Sequence, residues 1–226
     1  MKKECIVLGD RSDIMRDLMP MLGDEYHITG WNRNTPGKYL NRYFPQWDLI
    51  VCAIGSVAPV GHWADVTSQD WAESVRINCI LPIQLVRECW HNHKPNASVC
   101  FLAGANPNRA GPNYSGYYTG KMALLKAIET IDAETPDAKF FALAPGIVFT
   151  KIHDPTMASG IVNEGLEARR KVGGTPIKAI YDCLKWCIAH DKDFVGGRNI
   201  CVSDMGKVES YCLQNNPSLF KLRRIE

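Results

Sequence analysis

Short apolar runs alternate with longer helical patterns along this chain, and that alternation constrains its fold more than any other feature. The runs that read as strands are residues 4–8, 26–31, 48–54, 97–103, 140–144 and 199–203. The patterns that read as helices are residues 13–22, 70–91, 115–134, 156–171 and 176–190. Because the 48–54 run is almost continuously apolar, it is typical of a strand covered on both faces. The order predicts an α/β fold, with helices on both faces of one doubly wound parallel sheet.

The composition fits one globular domain spanning residues 1–226. The chain has 226 residues, of which 46% are hydrophobic and 22% charged, and it shows no linker or repeat. Its formal net charge of +2 predicts binding neither to nucleic acid nor to a membrane surface. No apolar run approaches the roughly 18 residues of a spanning helix. We therefore expect a soluble protein that acts on a small molecule.

Nine cysteines are scattered along the chain without a C-x-x-C pair. Several lie inside apolar runs, where cysteine behaves as a small hydrophobic residue. This favours reduced core thiols in a cytoplasmic protein over disulfides. Cys183 and Cys187 share a helical face but have no identifiable partners, so we expect packing and no metal site.

The loop after the first strand has the layout of a phosphate-binding turn, a strand followed by glycine and a helix N-terminus. It contains Gly9 and then Arg11, Ser12, Asp13 and Ile14. Only one glycine is present. The Asp13 carboxylate can cap the helix, yet it would repel a pyrophosphate. A purely structural role for this loop therefore stays open.

Three further loops at the same edge of the sheet are candidates for cofactor binding, since ligands bind beyond the carboxyl ends of parallel strands. The second strand leads into Asn32 and Arg33 and has no carboxylate there. An arginine can accommodate a 2′-phosphate, which favours NADP(H) over NAD(H); a solvated loop arginine is the alternative. The small residues of the 53–55 loop allow a flat ligand to approach the backbone. The turn at 145–150 has backbone groups and a hydroxyl that could hold an amide.

Tyr117 and Lys121 are four residues apart at the start of a helical run. Residues at this spacing lie side by side on one helix face. An ammonium beside a phenol lowers the tyrosine pKa from its usual value of about 10. The pair would then form a general acid/base able to serve an alcohol or carbonyl near neutral pH. Taken alone, the same spacing also arises by chance on amphipathic helices.

In this order and spacing, the motifs resemble those of the short-chain dehydrogenase/reductase family. The resemblance runs from about residue 4 to 206 and adds Asn78 and the P-G-x-V-x-T pattern of the 145–150 turn. It implies a Rossmann fold, homodimers or homotetramers, and hydride transfer between a nicotinamide and a small carbonyl or alcohol. Tyr117 would be the general acid, with Lys121 lowering its pKa and Asn78 anchoring a water. The implied cofactor-binding residues are Gly9, Arg11, Ser12, Asp13, Ile14, Asn32, Arg33, Ala53, Ile54, Gly55, Tyr117, Lys121, Pro145, Gly146, Val148 and Thr150.

Three departures from the family pattern weaken that implication. Met15 replaces the third glycine of the first loop, so it must push the helix outward or point into the cofactor cleft. Gly104 stands where the family places a serine, thirteen residues before Tyr117; Asn106 or Ser115 could substitute for it. The stretch between the second strand and residue 48 is short, so we expect about six strands, with the usual third strand missing or vestigial.

These departures leave a second function open, a catalytically impaired protein that senses a cofactor or acts as a scaffold. A third, an epimerase or dehydratase of nucleotide-linked sugars, uses the same Tyr/Lys pair but usually carries a larger C-terminal domain. Other expectations concern Pro82, which should kink its helix, a lid over residues 151–175 and a tail over 207–226. Tyr39 and Trp31 could cover the adenine, and His62, Trp63 and His153 could line the pocket.

Overall fold

A computed structural model describes residues 1–35, 46–104, 109–207 and 218–222, and it confirms the predicted α/β fold. The strands are β1 Lys3–Leu8, β2 Tyr26–Trp31, β3 Trp47–Cys52, β4 His93–Leu102, β5 Ala138–Ala144 and β6 Asn199–Cys201. They form a six-stranded sheet in the order β2-β1-β3-β4-β5-β6. Every neighbouring pair is parallel. The strand order reverses between β1 and β3, which is where such sheets open a ligand crevice.

Helices cover both faces of this sheet. They are α1 Asp13–Leu22, α2 Ser68–Val75, α3 Leu81–Cys89, α4 Ser115–Glu134, α5 Asp154–Ala158, α6 Glu164–Val172, α7 Ile177–Ala189 and α8 Lys192–Val195. Successive strand residues alternate between the two faces. Ile6 packs with residues of α3 and α4, while its neighbour Val7 packs with residues of α1 and α7. The two hydrophobic layers thus fix the helices to the two faces of the sheet, and this positions the loops that join strands to helices at the carboxyl edge.

The predicted helix at 70–91 is part of one continuous helical run from residue 68 to residue 92, whose hydrogen-bond pattern changes along its length. Between α2 and α3, Arg76–Ile80 forms a π-helical turn, in which the Leu81 N–H donates to the Arg76 carbonyl. Pro82 follows this turn as the second residue of α3, and it has no N–H to donate back into the helix. The wider turn therefore accommodates the proline, and it places Asn78 in its middle. The predicted helix at 156–171 is interrupted and forms two separate helices, α5 and α6.

Several expectations fall wholly or partly outside the described residues. Residues 36–45, which include Tyr39, lie outside them, so the missing third strand stays a prediction. Within the described ranges, β2 ends the sheet. The described part of the tail returns to β6, where the Asn199 N–H donates to the Phe220 carbonyl at 2.9 Å. None of the described helices has both the length and the apolar character needed to cross a membrane.

Candidate active site

The loops at the carboxyl edge of the sheet surround one cavity of about 2110 Å³. It brings together most of the residues predicted to bind a cofactor. Those lining it are Arg11, Ser12, Asp13, Ile14, Arg33, Ala53, Ile54, Gly55, Tyr117, Lys121, Pro145, Gly146, Val148 and Thr150. Gly9, Asn32 and Asn78 do not line it but contact the loops that do. Trp63 and His62 are exposed and lie outside the cavity.

Asn78 connects the π-helical turn to the loop after β3. Its side chain is fully buried. Its Nδ2 donates to the carbonyls of Ser56 at 2.7 Å and Ser74 at 2.9 Å, and its Oδ1 accepts from the Ser56 N–H at 3.1 Å. A Cβ on Gly55 would lie 3.0 Å from this Oδ1 and 3.1 Å from Lys121 Nζ. The amide and the ammonium therefore flank a backbone position that only glycine fits without a shift.

Lys121 is buried, with 2% of its surface exposed, and its Nζ donates to the Leu102 carbonyl at 3.2 Å. Burial disfavours the charged ammonium and lowers the lysine pKa to about 8. The loop around Gly55, the end of β4 and helix α4 meet at this nitrogen. Lys121 is thus a buried amine at the wall of the cavity, with a pKa of about 8.

The expectation that Lys121 lowers the pKa of Tyr117 is wrong for this structure. Burial raises the pKa of Tyr117, and the nearby phenol of Tyr118 raises it further. Tyr117 is buried and packs with Val57 and Tyr114 in a small cluster. Loss of water disfavours a phenolate. The Tyr117 hydroxyl therefore stays protonated at neutral pH.

Gly104 and Tyr117 share one space. A Cβ built on Gly104 would approach the Tyr117 hydroxyl oxygen to well under 3.0 Å, closer than real Cβ atoms come. The phenol thus occupies the room that a serine at position 104 would need. Of the two proposed substitutes, Ser115 instead accepts from the Trp71 indole at 3.1 Å and lies outside the cavity. Asn106 lies outside the described residues.

The phosphate-type loop differs from expectation in how its helix is capped. Gly9 has φ +90°, and a Cβ there would lie 3.2 Å from the Ala53 carbonyl, so the turn requires glycine. Ser12 is the N-cap of α1 and accepts from the Met15 N–H at 3.2 Å. Asp13 therefore does not cap its own helix. Met15 is fully buried in the layer between α1 and the sheet and does not fill the cleft.

The Asp13 carboxylate instead reaches the start of the expected lid. Its Oδ2 accepts from the backbone N–H of Lys151 at 2.8 Å, while its Oδ1 accepts from Arg16 at 3.3 Å. The two residues of the first bond are 138 positions apart. No local sequence signal reports such a contact.

Asp10, which the sequence motifs did not single out, fixes the turn that carries Arg33. Its Oδ1 accepts from Asn32 Nδ2 at 2.8 Å. Asn32 Oδ1 accepts from the Asn34 N–H at 2.9 Å, and the Asn32 N–H donates to Thr35 Oγ1 at 2.9 Å. Asn32 is thus a positioning residue for the turn. Arg33 and Arg11 are both exposed and both line the cavity.

The opposite wall consists of lid residues joined to the start of α4. The Tyr114 hydroxyl donates to Thr156 Oγ1 at 3.1 Å and accepts from Asn163 Nδ2 at 3.2 Å. A ring nitrogen of His153 lies 3.1 Å from the Val148 carbonyl, and burial lowers the pKa of this histidine. His153 lines the cavity, but that nitrogen is engaged by the backbone.

The cavity fits a nicotinamide dinucleotide in most respects. Its lining carries complementary chemistry: Arg11 in the loop after β1 and Arg33 after β2 can bind phosphate, and Tyr117 and Lys121 lie on α4. The bare backbone of Gly55 lies beside Lys121, where an added Cβ would meet the polar atoms of Lys121 and Asn78. The feature that opposes the fit is the Asp13 carboxylate, since a pyrophosphate would lie near it. Within the described ranges, no group of three or more His, Cys, Asp or Glu side chains could hold a metal ion.

Comparisons with known proteins identify the family to which this fold belongs. A family model described as enoyl-(acyl carrier protein) reductase matches residues 38–206. No curated protein matches the chain in sequence. A short-chain dehydrogenase/reductase from Saccharomyces cerevisiae is 18% identical, and the superposition covers 97% of this chain and 100% of that one with a TM-score of 0.70.

Two further solved structures superpose well. A small-chain dehydrogenase in complex with NADPH is 17% identical over 89% of this chain and 96% of its own, with a TM-score of 0.73. A 3-oxoacyl-[acyl-carrier protein] reductase from Brucella melitensis in complex with NAD is 12% identical over the same shares, with a TM-score of 0.74. At such identities the likeness shows the fold alone. Because the family model spans most of the chain, the protein belongs to the short-chain dehydrogenase/reductase family.

Proposed function

We propose that this protein is an NAD(P)-dependent oxidoreductase that interconverts a small carbonyl compound and an alcohol, with Tyr117 as the general acid/base. The observation that carries the proposal is that Lys121 and Asn78 meet at Gly55, while Tyr117 and Lys121 line the same cavity at the carboxyl edge of the sheet. The loop after β3, the π-helical turn and helix α4 meet at Gly55. Burial holds the side chains of Tyr117, Lys121 and Asn78, and the last two also bond to backbone groups.

The role of the phenol as an acid follows from its protonation. A bound nicotinamide would supply a hydride to the substrate carbon. Tyr117 would give its proton to the carbonyl oxygen. Because burial raises the pKa of Tyr117, the hydroxyl holds that proton at neutral pH. The protonated phenol is the form that reduction of a carbonyl requires.

Lys121 and Asn78 serve the same step by position. The lysine, with a pKa of about 8, can gain or lose a proton near neutral pH and so resupply the phenol. The hydrogen bonds of Asn78 hold the loop after β3 in place beside that ammonium. Groups that are held in a fixed orientation increase the rate of the reaction, because the geometry it needs is already in place.

Two arginines support NADP(H) as the favoured cofactor. Arg33 follows the end of β2 and Arg11 lies in the first loop, and both face the cavity. Guanidinium groups bind phosphate oxygens with charge-assisted hydrogen bonds. We propose that they hold the 2′-phosphate, and that Ala53, Ile54, Gly55 and the 145–150 turn contact the rest of the cofactor. We also expect a cytoplasmic homodimer or homotetramer.

A non-catalytic role, as a cofactor sensor or scaffold, is the second candidate. Gly104 favours it because the usual serine donor is absent, and losing one such donor commonly costs about 10²–10³ in rate. Asp13 favours it because a carboxylate lies near the expected phosphate position. Both features weaken catalysis or affinity, and neither removes the Tyr117–Lys121–Asn78 arrangement.

Tyr117→Phe separates the two roles. The variant and the wild type are compared for NADPH oxidation with a panel of small aldehydes and ketones, and for NADPH binding by calorimetry. Catalysis through Tyr117 predicts loss of turnover with unchanged binding. Tyr118→Phe is the matched control, since this phenol lies edge-on to Tyr117 with ring centroids 5.8 Å apart. Full turnover by Tyr117→Phe would refute the assignment.

A further inference from the structure

The hydrogen bond between Asp13 and the Lys151 backbone joins the start of α1 to the start of the lid segment. Asp13 lies in the first turn of α1, beside the expected phosphate position. Lys151 begins a 3-10 turn, Lys151–His153, that leads into α5 and the lid segment 151–175. The Asp13 side chain is 13% exposed and lines both the large cavity and a smaller one of about 450 Å³ beneath the lid segment.

The bond has a capping role for the lid segment. N–H groups in the first turn of a helix have no acceptor within the helix. Thr150, the N-cap residue of the 3-10 turn, makes no capping bond with its side chain. Asp13 supplies the acceptor for the Lys151 N–H instead. The carboxylate thereby fixes where the lid segment starts relative to α1.

The same carboxylate opposes an anionic ligand. Backbone N–H groups and the helix dipole at the start of α1 favour negative charge. Asp13 places its own negative charge there. Arg16 compensates part of that charge at 3.3 Å but is largely exposed, with 64% of its side-chain surface accessible. A pyrophosphate would therefore meet a carboxylate that also holds the lid segment.

We propose that Asp13 is a positioning residue that ties the lid segment to α1 at the expense of cofactor affinity. The inference rests on the proposed function, because it takes the cavity as a dinucleotide site. A bound pyrophosphate repels the carboxylate and weakens its bond to Lys151. Cofactor binding and attachment of the lid segment at Lys151 thus oppose each other through one side chain.

Two substitutions at Asp13 separate its charge from its hydrogen bond. Asp13→Asn keeps an oxygen that can accept from Lys151 and removes the charge. Asp13→Ala removes both. Asp17→Asn is the control, because this carboxylate lies one turn further along α1 and is 55% exposed. The probes are NADPH and NADH binding by calorimetry and amide hydrogen exchange at Lys151 without ligand.

Both Asp13 variants should bind NADPH about five- to tenfold more tightly than the wild type. NADH should gain the same factor, since the two cofactors share the pyrophosphate. Exchange at Lys151 should accelerate about tenfold in Asp13→Ala and stay unchanged in Asp13→Asn, and Asp17→Asn should alter neither measurement.

Unchanged exchange in Asp13→Ala would overturn the tie to the lid segment. A gain confined to NADPH, or no gain, would overturn the effect on affinity while leaving the proposed function standing. Absence of binding by all of these proteins would overturn the proposed function as well.

Discussion

Replacing Gly104 with Ala tests whether this glycine and the Tyr117 hydroxyl depend on each other. The new Cβ would lie well inside 3.0 Å of the phenol oxygen, so one of the two groups must move. The next atom of the ring, Cζ, lies 3.7 Å from the same point, an ordinary contact. The overlap is therefore with the hydroxyl oxygen and not with the ring.

The cost follows from crowding in a packed site. Insertion of one carbon where no space exists typically costs about 1–3 kcal/mol. Tyr117 cannot turn away freely, because Val57 and Tyr114 pack against it. For a chain of this length, such a loss should lower Tm by roughly 2–4 °C per kcal/mol. In a Tyr117→Phe background the obstructing oxygen is gone, so Gly104→Ala should cost little.

A double-mutant cycle measures this dependence. Urea unfolding of the wild type, both single variants and the double variant should give a coupling of about 1–3 kcal/mol. The same geometry predicts that Gly104→Ser, which restores the family's serine, lowers turnover by displacing the phenol. Additive effects within about 0.5 kcal/mol would refute the shared-space reasoning, as would higher turnover of Gly104→Ser.

Three other predictions concern buried polar groups and an arginine that lines the cavity. The Lys121 pKa falls from 10.5 in the unfolded chain to about 8 in the folded protein. The free energy of unfolding of the wild type should therefore rise relative to that of Lys121→Met, by up to about 3 kcal/mol between about pH 7 and pH 10. Urea titrations at each pH measure this difference, and the exposed control Lys126→Met should show no such rise. Asn78→Ala should lose about 2–4 kcal/mol of unfolding free energy, because it removes the three hydrogen bonds of a fully buried side chain, and a loss under about 1 kcal/mol would contradict this. Arg33→Ala should weaken NADPH binding about tenfold and leave NADH binding unchanged, both measured by calorimetry. Arg87→Ala is the control and should change the affinity for neither cofactor. Equal losses of affinity for both cofactors in Arg33→Ala would contradict a 2′-phosphate contact.

Elements with a strong period were predictable from the sequence. Strand 26–31 and helices 13–22 and 115–134 have the same bounds in the structure as in the prediction. Each combines a clear apolar pattern with a local start or stop signal. The π-helical turn at Arg76–Ile80 was not predictable in this way, because Pro82 signals an interruption but not its form.

The site was predictable as a set of residue types, but its electrostatics were not. Order and spacing identified Tyr117, Lys121 and the surrounding loops. The rise in the Tyr117 pKa depends on burial of the phenol in the folded chain. The tie between Asp13 and Lys151, like the crowding at Gly104, depends on how loops far apart in sequence meet. Spacing along a chain carries no record of these contacts.

The most direct test of the central claim, that this cavity is a nicotinamide dinucleotide site, is a pair of calorimetric isotherms for NADPH with the wild type and Gly55→Val. The wild type should bind one NADPH per chain with a dissociation constant below about 1 mM, and it should be stabilised against heat accordingly. Gly55→Val should lose this binding, since its side chain would enter the space beside Asn78 and Lys121. Absence of binding by the wild type to NADPH or NADH at millimolar concentration, or equal binding by Gly55→Val, would contradict the account.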